Sequence, residues 1–195
     1  MAFDMREHTD RASAITPDDI DTAAFRHRPL ASSTIRCLHY LRNVERYTIR
    51  QLRDALVTPS HTEPVVTEFL TGWAYQQFWL GETLDAIIGR RGDPFPTAPS
   101  PRILQEIRDR VAPVRQALLA NLIGEDFVAI HMAWAHLDTC VTTAAYANTA
   151  HRDAHPQLAA FVGRVQQLKQ THRDFYAEQA TARLAASRRA RTLAR

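Results

Sequence analysis

The chain has 195 residues, of which 45% are hydrophobic, and a net charge of +3 at pH 7, as expected for one globular domain with a sizeable core. Four of the arginines lie in the last eight residues, so the remainder is nearly neutral and the charge does not indicate a nucleic-acid partner. No apolar run approaches the ~18 residues of a membrane span, so the sequence gives no sign of a membrane partner.

Two features indicate the compartment. The two cysteines, Cys37 and Cys140, lie far apart inside helical patterns, which fits a reducing cytosol better than a disulfide framework. Residues 1–7 contain no apolar segment of the kind found in secretory signals. We therefore expect a cytoplasmic protein.

The scarcity of glycine, at 6 residues, and the abundance of alanine, leucine and arginine favour helix over sheet. Hydrophobic periodicity then predicts an all-α protein with three regions. Residues 1–32 are expected to form a loose polar arm with at most one short helix, between a helix-start signal at Thr16 and a stop at Pro29. Residues 33–185 are expected to form a helical bundle, and residues 186–195 a basic tail.

The first long helix is predicted from Ser32 or Ser33, either of which can cap it, to about residue 57, ahead of Pro59. Its inner face is apolar apart from Thr48 and Glu45, and Glu45 lies in the middle of that face. A buried carboxylate lowers stability unless a cation, a metal or a hydrogen-bond donor compensates it. Glu45 is therefore the first candidate functional residue.

The second helix is predicted over residues 62–88, with a capping threonine, a proline in the first turn and Gly89 just beyond its end. Its inner face includes Trp73 and Leu80. Gln77 is the one polar interruption of that face, so it is a candidate for a polar contact in the core.

A third helix is predicted over residues 102–122, kinked or split at Pro113, and a fourth over residues 126–149. His136 lies one turn before Cys140, at the edge of the fourth helix's inner face. That face is predicted to consist of apolar residues at helical spacing, namely Ile130, Ala133, Leu137, Cys140, Val141 and Ala144.

The last helix is predicted over residues 156–185, after a start signal at His155. Its inner face carries residues spaced three and four apart, namely Val165, Leu168, His172, Phe175 and Tyr176. Lys169 borders that face, one turn before His172. A helix that directs a lysine and a histidine at a bundle core either balances a buried charge or uses both groups for chemistry. Four other histidines, His39, His61, His151 and His155, are expected at the surface or in loops.

Segments on four of these helices resemble one known family. They are residues 43–45, residues 68–82, residues 132–134 with 142–146, and residues 172–176 with 182–184, and the likeness extends over about 33–195. In this order they resemble the ferritin-like di-iron superfamily, in particular small actinobacterial ferritin-like proteins related to acyl-carrier-protein desaturases. The resemblance implies a ferritin-like four-helix bundle with an additional connecting helix.

The family holds two metal ions with a Glu on one helix, a Glu-x-x-His on the next, a Glu on a third and a Glu-x-x-His on the last. By this resemblance Glu45 matches the first ligand and His172 matches the last. The four other ligand positions hold residues without a carboxylate or imidazole, namely Gln77, Leu80, Cys140 and Lys169. The resemblance therefore implies a bundle that has lost its di-iron site.

We expect the ammonium of Lys169 to replace the metal ions electrostatically and to pair with Glu45, so that neither a metal nor another cofactor is required. The vacated core is then expected to bind a small-molecule substrate and to transfer protons in a cyclisation, elimination, isomerisation or hydrolysis. A Schiff base between Lys169 and a carbonyl substrate is an alternative. Such an enzyme would belong to secondary metabolism.

In this hypothesis Glu45 is the general base, His172 its acid or base partner, and Lys169 an electrostatic stabiliser or proton donor. His136 and Gln77 orient the substrate. The residues expected to contact the substrate are Gln77, Leu80, Trp73, Cys140 and Tyr176.

Three alternatives stay open from the sequence. In the first, Lys169, Glu45 and His172 neutralise one another in a relic of a metal site. In the second, the protein is a non-catalytic scaffold that forms a homodimer or binds a partner through its helices. In the third, it is an oxidase or oxygenase with a rearranged iron site, whose ligands would be Glu45, His136, Asp138 and His172.

Overall fold

The computed structural model describes residues 13–47, 52, 58–89, 123–124 and 126–194. Six helices lie within these ranges: α1 (Thr22–His27), α2 (Ser32–Arg46), α3 (Pro64–Ile88), α4 (Asp126–Arg152), α5 (Pro156–Ala186) and α6 (Arg188–Leu193). Two short 3-10 turns, Pro17–Asp19 and Pro59–Thr62, accompany them, and the described ranges contain no strand. The predicted all-α class is confirmed. None of the helices in these ranges has the length and apolar character needed to cross a bilayer.

The predicted bounds of α3, α4 and α5 agree with the structure to within three residues. The predicted end of α2 near residue 57 is wrong, because this helix ends at Arg46 with Tyr47 as its C-cap. Helix α3 begins at Pro64 and ends ahead of Gly89, whose φ of 69° suits a glycine C-cap. Helix α2 begins at Ser32, but neither serine caps it, because Ala31 is the N-cap residue and donates its amide to Asp153 Oδ2 at 3.0 Å. The predicted helix over 102–122 lies outside the described residues.

The long helices pack as two antiparallel pairs. Arg42 and Arg46 on α2 bind Asp85 and Glu82 on α3, each at 3.0 Å, so the residue numbers run in opposite directions along the two helices. Helix α4 lies along α5 in the same antiparallel way. Side chains of α3 and α5 meet across the two pairs, which gives the bundle a shared core.

The core consists of two apolar clusters with polar side chains between them. The first cluster includes Leu38, Leu41, Leu80, Leu84, Leu158, Phe161 and Val165. The second cluster includes Val66, Phe69, Leu70, Val128, Met132, Phe175, Tyr176 and Ala180. Along α5 the first cluster ends at Val165, the second begins at Phe175, and the buried Lys169 and His172 lie between them. The candidate site lies at this level of the bundle, between the two apolar clusters.

Both ends of the described chain pack on the bundle. The predicted arm is not loose where it is described, because Ile15 and Phe25 are buried in the first apolar cluster and the Thr83 hydroxyl donates to the Ile15 carbonyl at 2.8 Å. At the other end, the basic tail forms α6. Ala190 of α6 is buried, and Arg191 donates to a carbonyl at the end of α5 at 2.6 Å.

The predicted inner face of α4 is wrong. Leu137 and Val141 are 56% and 69% exposed, and the buried face instead carries Tyr146 and four threonines, namely Thr139, Thr142, Thr143 and Thr149. Each of these threonine hydroxyls donates to the carbonyl four residues earlier, at 2.6–2.8 Å. Because the hydroxyls are satisfied within the helix, threonine can be buried there without a partner on another helix.

Two histidines that were expected at the surface are buried. His39 lies on the inner side of α2, and His155 precedes α5. The His155 Nδ1 accepts from the Leu158 amide at 3.4 Å, and its ring stacks on Phe25 with centroids 4.6 Å apart. His155 is therefore the N-cap of α5 as well as a part of the core. His151 is exposed, as expected.

Candidate functional site

Glu45 is the centre of the buried polar level. It lies in the last turn of α2 and is 1% exposed. Its Oε1 lies 3.0 Å from Lys169 Nζ and accepts the Tyr146 hydroxyl at 3.0 Å. Its Oε2 accepts from the Gln77 amide. Donors from α3, α4 and α5 therefore converge on one carboxylate, and we call Glu45, Gln77, Tyr146 and Lys169 the polar cluster.

The predicted ion pair between Lys169 and Glu45 is present in the structure. Lys169 is 2% exposed, and its Nζ also lies 5.7 Å from the centre of the Tyr146 ring. A buried carboxylate or ammonium alone is strongly destabilising, whereas the pair is neutral overall. The cation and the tyrosine ring add a further attraction. The cluster therefore holds both charges inside the bundle without bulk water.

Tyr146 acts as a donor to Glu45. Burial raises its pKa well above the usual value, and the charge of Glu45 and the hydrogen bond to it act in the same direction. The phenol therefore stays protonated near neutral pH. The pKa of Tyr176 is also raised, first by burial and then by the charge of Asp138. Neither phenol supplies a base near neutral pH.

His172 lies one turn beyond Lys169 on α5 and is fully buried. Its Nε2 is 2.7 Å from Gln76 Oε1. An amide oxygen only accepts, so Nε2 carries the proton. The edge of the ring meets Phe69, with centroids 5.8 Å apart. Among the described residues the hydrogen-bond partners of Glu45 do not include His172, so the predicted acid/base pair is not in direct contact.

Gln77 uses its amide nitrogen for Glu45, and its Oε1 is buried without a hydrogen-bond partner in the part of the chain that the structure describes. Buried acceptors are normally paired. This oxygen is therefore the unsatisfied acceptor of the polar cluster, and a bound molecule with a donor group would complete it.

The other predicted substrate contacts lie in the two apolar clusters that flank the polar cluster. Leu80 is buried in the first. Tyr176 is buried in the second, and Trp73 packs against it while partly exposed. All three therefore have apolar neighbours, and these contacts are those of ordinary core residues.

His136 and Cys140 contact each other. Cys140 Sγ lies 3.6 Å from His136 Nε2, and His136 Nδ1 lies 3.2 Å from the Arg173 carbonyl oxygen on α5. Within the described ranges, no hydrogen bond joins either side chain to Glu45 or Lys169. The side chain that α4 contributes to the polar cluster is Tyr146, not Cys140.

The sequence did not indicate Tyr146 as a site residue, and it suggested Gln76 only as an amide partner of Gln77, not of His172. A signal for Tyr146 was present, because it falls at helical spacing with Thr139, Thr142 and Thr149 on one face of α4. Hydrophobic periodicity does not reveal this face, because threonine is a polar residue. Gln76 is adjacent to Gln77, but α3 is buried widely enough at this level for both amides to face the core.

The described residues do not fit a di-iron centre. Two iron ions require several anionic ligands, whereas the polar cluster contains a single carboxylate whose two oxygens are already bound to Lys169, Tyr146 and Gln77. Among the residues that the structure describes, no group of three or more His, Cys, Asp and Glu side chains is arranged to hold a metal ion. The alternative ligand set around Asp138 is therefore not assembled.

Comparison with protein-family models, with curated proteins and with solved structures found no match for this chain. The resemblance to the ferritin-like superfamily therefore stays a prediction. The functional argument depends on the contacts of the polar cluster.

Proposed function

We propose that the protein is a metal-free helical bundle of the ferritin-like type that catalyses acid/base chemistry on a small metabolite in its core. The observation that carries this proposal is the buried Glu45 carboxylate, bound by Lys169, Tyr146 and Gln77 between two apolar clusters. A buried ion pair is often less stable than an apolar replacement. Clusters of buried ionisable groups are also more frequent at functional sites than elsewhere.

The location of the residues at the expected metal-ligand positions supports the ferritin-like part of the proposal. Glu45, Gln77 and Lys169 occupy three of the positions that the resemblance assigns to metal ligands, and all three meet in one contact group. His172 occupies a fourth and lies one turn away from Lys169. The ammonium of Lys169 then supplies the positive charge that balances Glu45.

In the proposed reaction Glu45 removes a proton from a carbon next to a substrate carbonyl. The ammonium of Lys169 donates to the resulting enolate oxygen and stabilises its charge. Glu45 then returns the proton at the same or another carbon, which gives an isomerisation or the first step of a cyclisation. Tyr146 keeps its proton and orients the carboxylate. The unsatisfied Gln77 oxygen accepts a donor group of the substrate.

Glu45 can contact an entering substrate only if one of its three donors gives up its contact with the carboxylate. Lys169 has the longest and most flexible side chain of the three, so it is the donor that exchanges its contact with Glu45 for one with the substrate. Glu45 keeps its bonds to Tyr146 and Gln77 in this arrangement. The same ammonium therefore balances the carboxylate before the reaction and the enolate during it.

A two-stage experiment tests this function. Carbonyl metabolites are first screened for a rise in melting temperature of the wild-type chain. Each hit is then incubated with the protein in deuterium oxide, and its hydrogen exchange is followed by NMR spectroscopy. We expect Glu45→Gln to slow protein-dependent exchange by about 100-fold or more, while Glu68→Gln, at an exposed position on α3, leaves it unchanged. Equal exchange with wild type and Glu45→Gln contradicts the proposed base.

The metal-free part of the proposal has its own test. We expect protein purified without chelator to contain far less than one iron per chain. About two irons per chain, the stoichiometry of a di-iron protein, would contradict it whatever the result of the exchange experiment.

A second candidate function is a non-catalytic scaffold, and a different observation favours it. Trp134, Leu137 and Val141 are exposed on one side of α4 at spacings of three and four residues, an arrangement typical of helix surfaces that bind a partner. We expect Trp134→Glu to abolish self-association measured by light scattering if this side forms a homodimer. A wild-type chain that is monomeric at high concentration contradicts the homodimer.

A further inference from the structure

His136 and Cys140 lie one turn apart on α4, and a third group fixes their roles. The Arg173 carbonyl oxygen, 3.2 Å from His136 Nδ1, only accepts hydrogen bonds, so Nδ1 carries the proton of the neutral ring. The lone pair of Nε2 therefore faces the Cys140 sulfur at 3.6 Å. The thiol is the donor of this contact, and the imidazole is the base that receives its proton.

This is the arrangement of a nucleophile, a base and a group that orients the base. Both side chains are partly exposed, unlike those of the polar cluster, so a reagent can reach the sulfur from solvent. Leu137 and Val141, three residues before and one residue after Cys140, are exposed next to it. The approach to the thiol is therefore apolar.

We propose that Cys140 is a covalent binding site for apolar α,β-unsaturated carbonyl compounds, with His136 as its base. A thiolate is a soft nucleophile and adds readily to conjugated carbon. This site is separate from the polar cluster, and its existence does not depend on the function proposed above.

The reaction is a conjugate addition. His136 Nε2 takes the proton of the Cys140 thiol, and the sulfur forms a bond to the β-carbon of the reagent. The electron pair of the carbon–carbon double bond moves to give an enolate. The imidazolium then returns the proton to the α-carbon, which leaves a neutral imidazole and a thioether. No group leaves, and no oxidant or reductant is needed.

The chain provides its own control, because its other free thiol, Cys37, is exposed on α2. Wild-type protein is treated with N-ethylmaleimide, a conjugated carbonyl reagent, and the labelling rate of each cysteine is measured by peptide mass spectrometry from pH 6 to 9. At pH 6.5 we expect Cys140 to react about tenfold faster than Cys37 although it is less exposed. The difference should narrow by pH 9, because base from the solvent then substitutes for His136 at either thiol. Faster labelling of Cys37 at every pH would overturn the proposal.

A matched pair of variants tests the base. His136→Asn keeps a side-chain donor for the Arg173 carbonyl but removes the basic nitrogen, so labelling of Cys140 at pH 6.5 should fall about tenfold. His151→Asn changes an exposed histidine on the same helix and should have no effect. Melting curves monitored by circular dichroism identify any variant that is unfolded. A folded His136→Asn protein that labels at the wild-type rate would overturn the assignment of His136.

Discussion

The polar cluster and the neighbouring aromatic group of Phe69, Phe175 and Tyr176 both include residues of α3 and α5, but different forces hold them together. In the aromatic group, Phe69 stacks on Phe175 with centroids 3.7 Å apart, and Tyr176 meets Phe69 edge-on at 5.2 Å. Lys169 and Phe175, less than two turns apart on α5, are both buried. One helix therefore contributes to a charged contact and to an apolar contact within a short distance.

The two regions should respond differently to substitution. Burial and dispersion between aromatic rings are distributed over many weak contacts, so a smaller side chain removes only part of the stabilisation. In the polar cluster the attraction of the two charges offsets their desolvation, so the intact pair contributes little net stability. Removal of one charge leaves the other unbalanced. The stability of the polar cluster should therefore depend on the presence of both charges, whereas that of the aromatic group should depend on the volume of its side chains.

The largest effect is expected from Lys169→Met. The substitution leaves the Glu45 carboxylate buried, with Tyr146 and Gln77 as donors but no cation. We expect the free energy of unfolding in urea to fall by about 3–5 kcal/mol. A loss below about 1 kcal/mol would mean that Glu45 takes up a proton or reaches water easily.

The double variant Glu45→Leu with Lys169→Met is the control for this prediction. It removes both charges and replaces them with apolar side chains, so its stability should return to within about 1 kcal/mol of wild type or exceed it. A double variant as unstable as the single one would show that packing, not charge balance, accounts for the loss.

The aromatic group should show a smaller and graded effect. Phe175→Leu keeps an apolar side chain but removes the stacked ring, and we expect unfolding in urea to become easier by about 1–2 kcal/mol. Phe78→Leu on α3 is the matched control, since Phe78 is 44% exposed and its substitution should change stability by less than about 0.5 kcal/mol. Equal losses for both variants would contradict the assigned packing.

The helices could be predicted from the sequence because local signals mark them. Pro64 and Gly89 bound α3 as expected, since a proline fits the first turn of a helix and a glycine adopts the positive φ beyond its end. Glu45 and Lys169 could also be predicted, because a charged residue on or beside an apolar face requires a partner of opposite charge.

The rest of the site could not be predicted because it depends on contacts between helices. The choice of Tyr146 instead of Cys140 follows from how α4 is rotated about its axis. The threonines can lie on the buried side because their hydroxyls bond within their own helix. Hydrophobic periodicity selected the opposite side, where Leu137 and Val141 are exposed. The contact between His172 and Gln76 likewise requires the relative position of α3 and α5.

The smallest expected effect concerns His131, which lies on α4 next to Met132 of the second apolar cluster. Its Nδ1 is 2.9 Å from the hydroxyl of the buried Ser60, and burial lowers its pKa from 6.5 to about 4. Between these values the unfolded chain binds a proton that the folded chain does not, so the stability contributed by neutral His131 is complete above pH 6.5 and is lost as the pH falls to about 4.

Because His131 is only partly buried, we expect this loss to be about 1 kcal/mol, which corresponds to a fall of about 2–4 °C in melting temperature. Carboxylates also titrate in this range, so the measurement is the difference between variants. His131→Gln should have a smaller decrease between pH 7 and 4 than wild type, and His151→Gln, at an exposed position, should match wild type. An unchanged decrease in His131→Gln would mean that His131 binds its proton equally well in both states. It would also mean that His131 adds no pH dependence to the stability of this end of the core, which would then not differ in that respect from the charge-balanced level around Glu45.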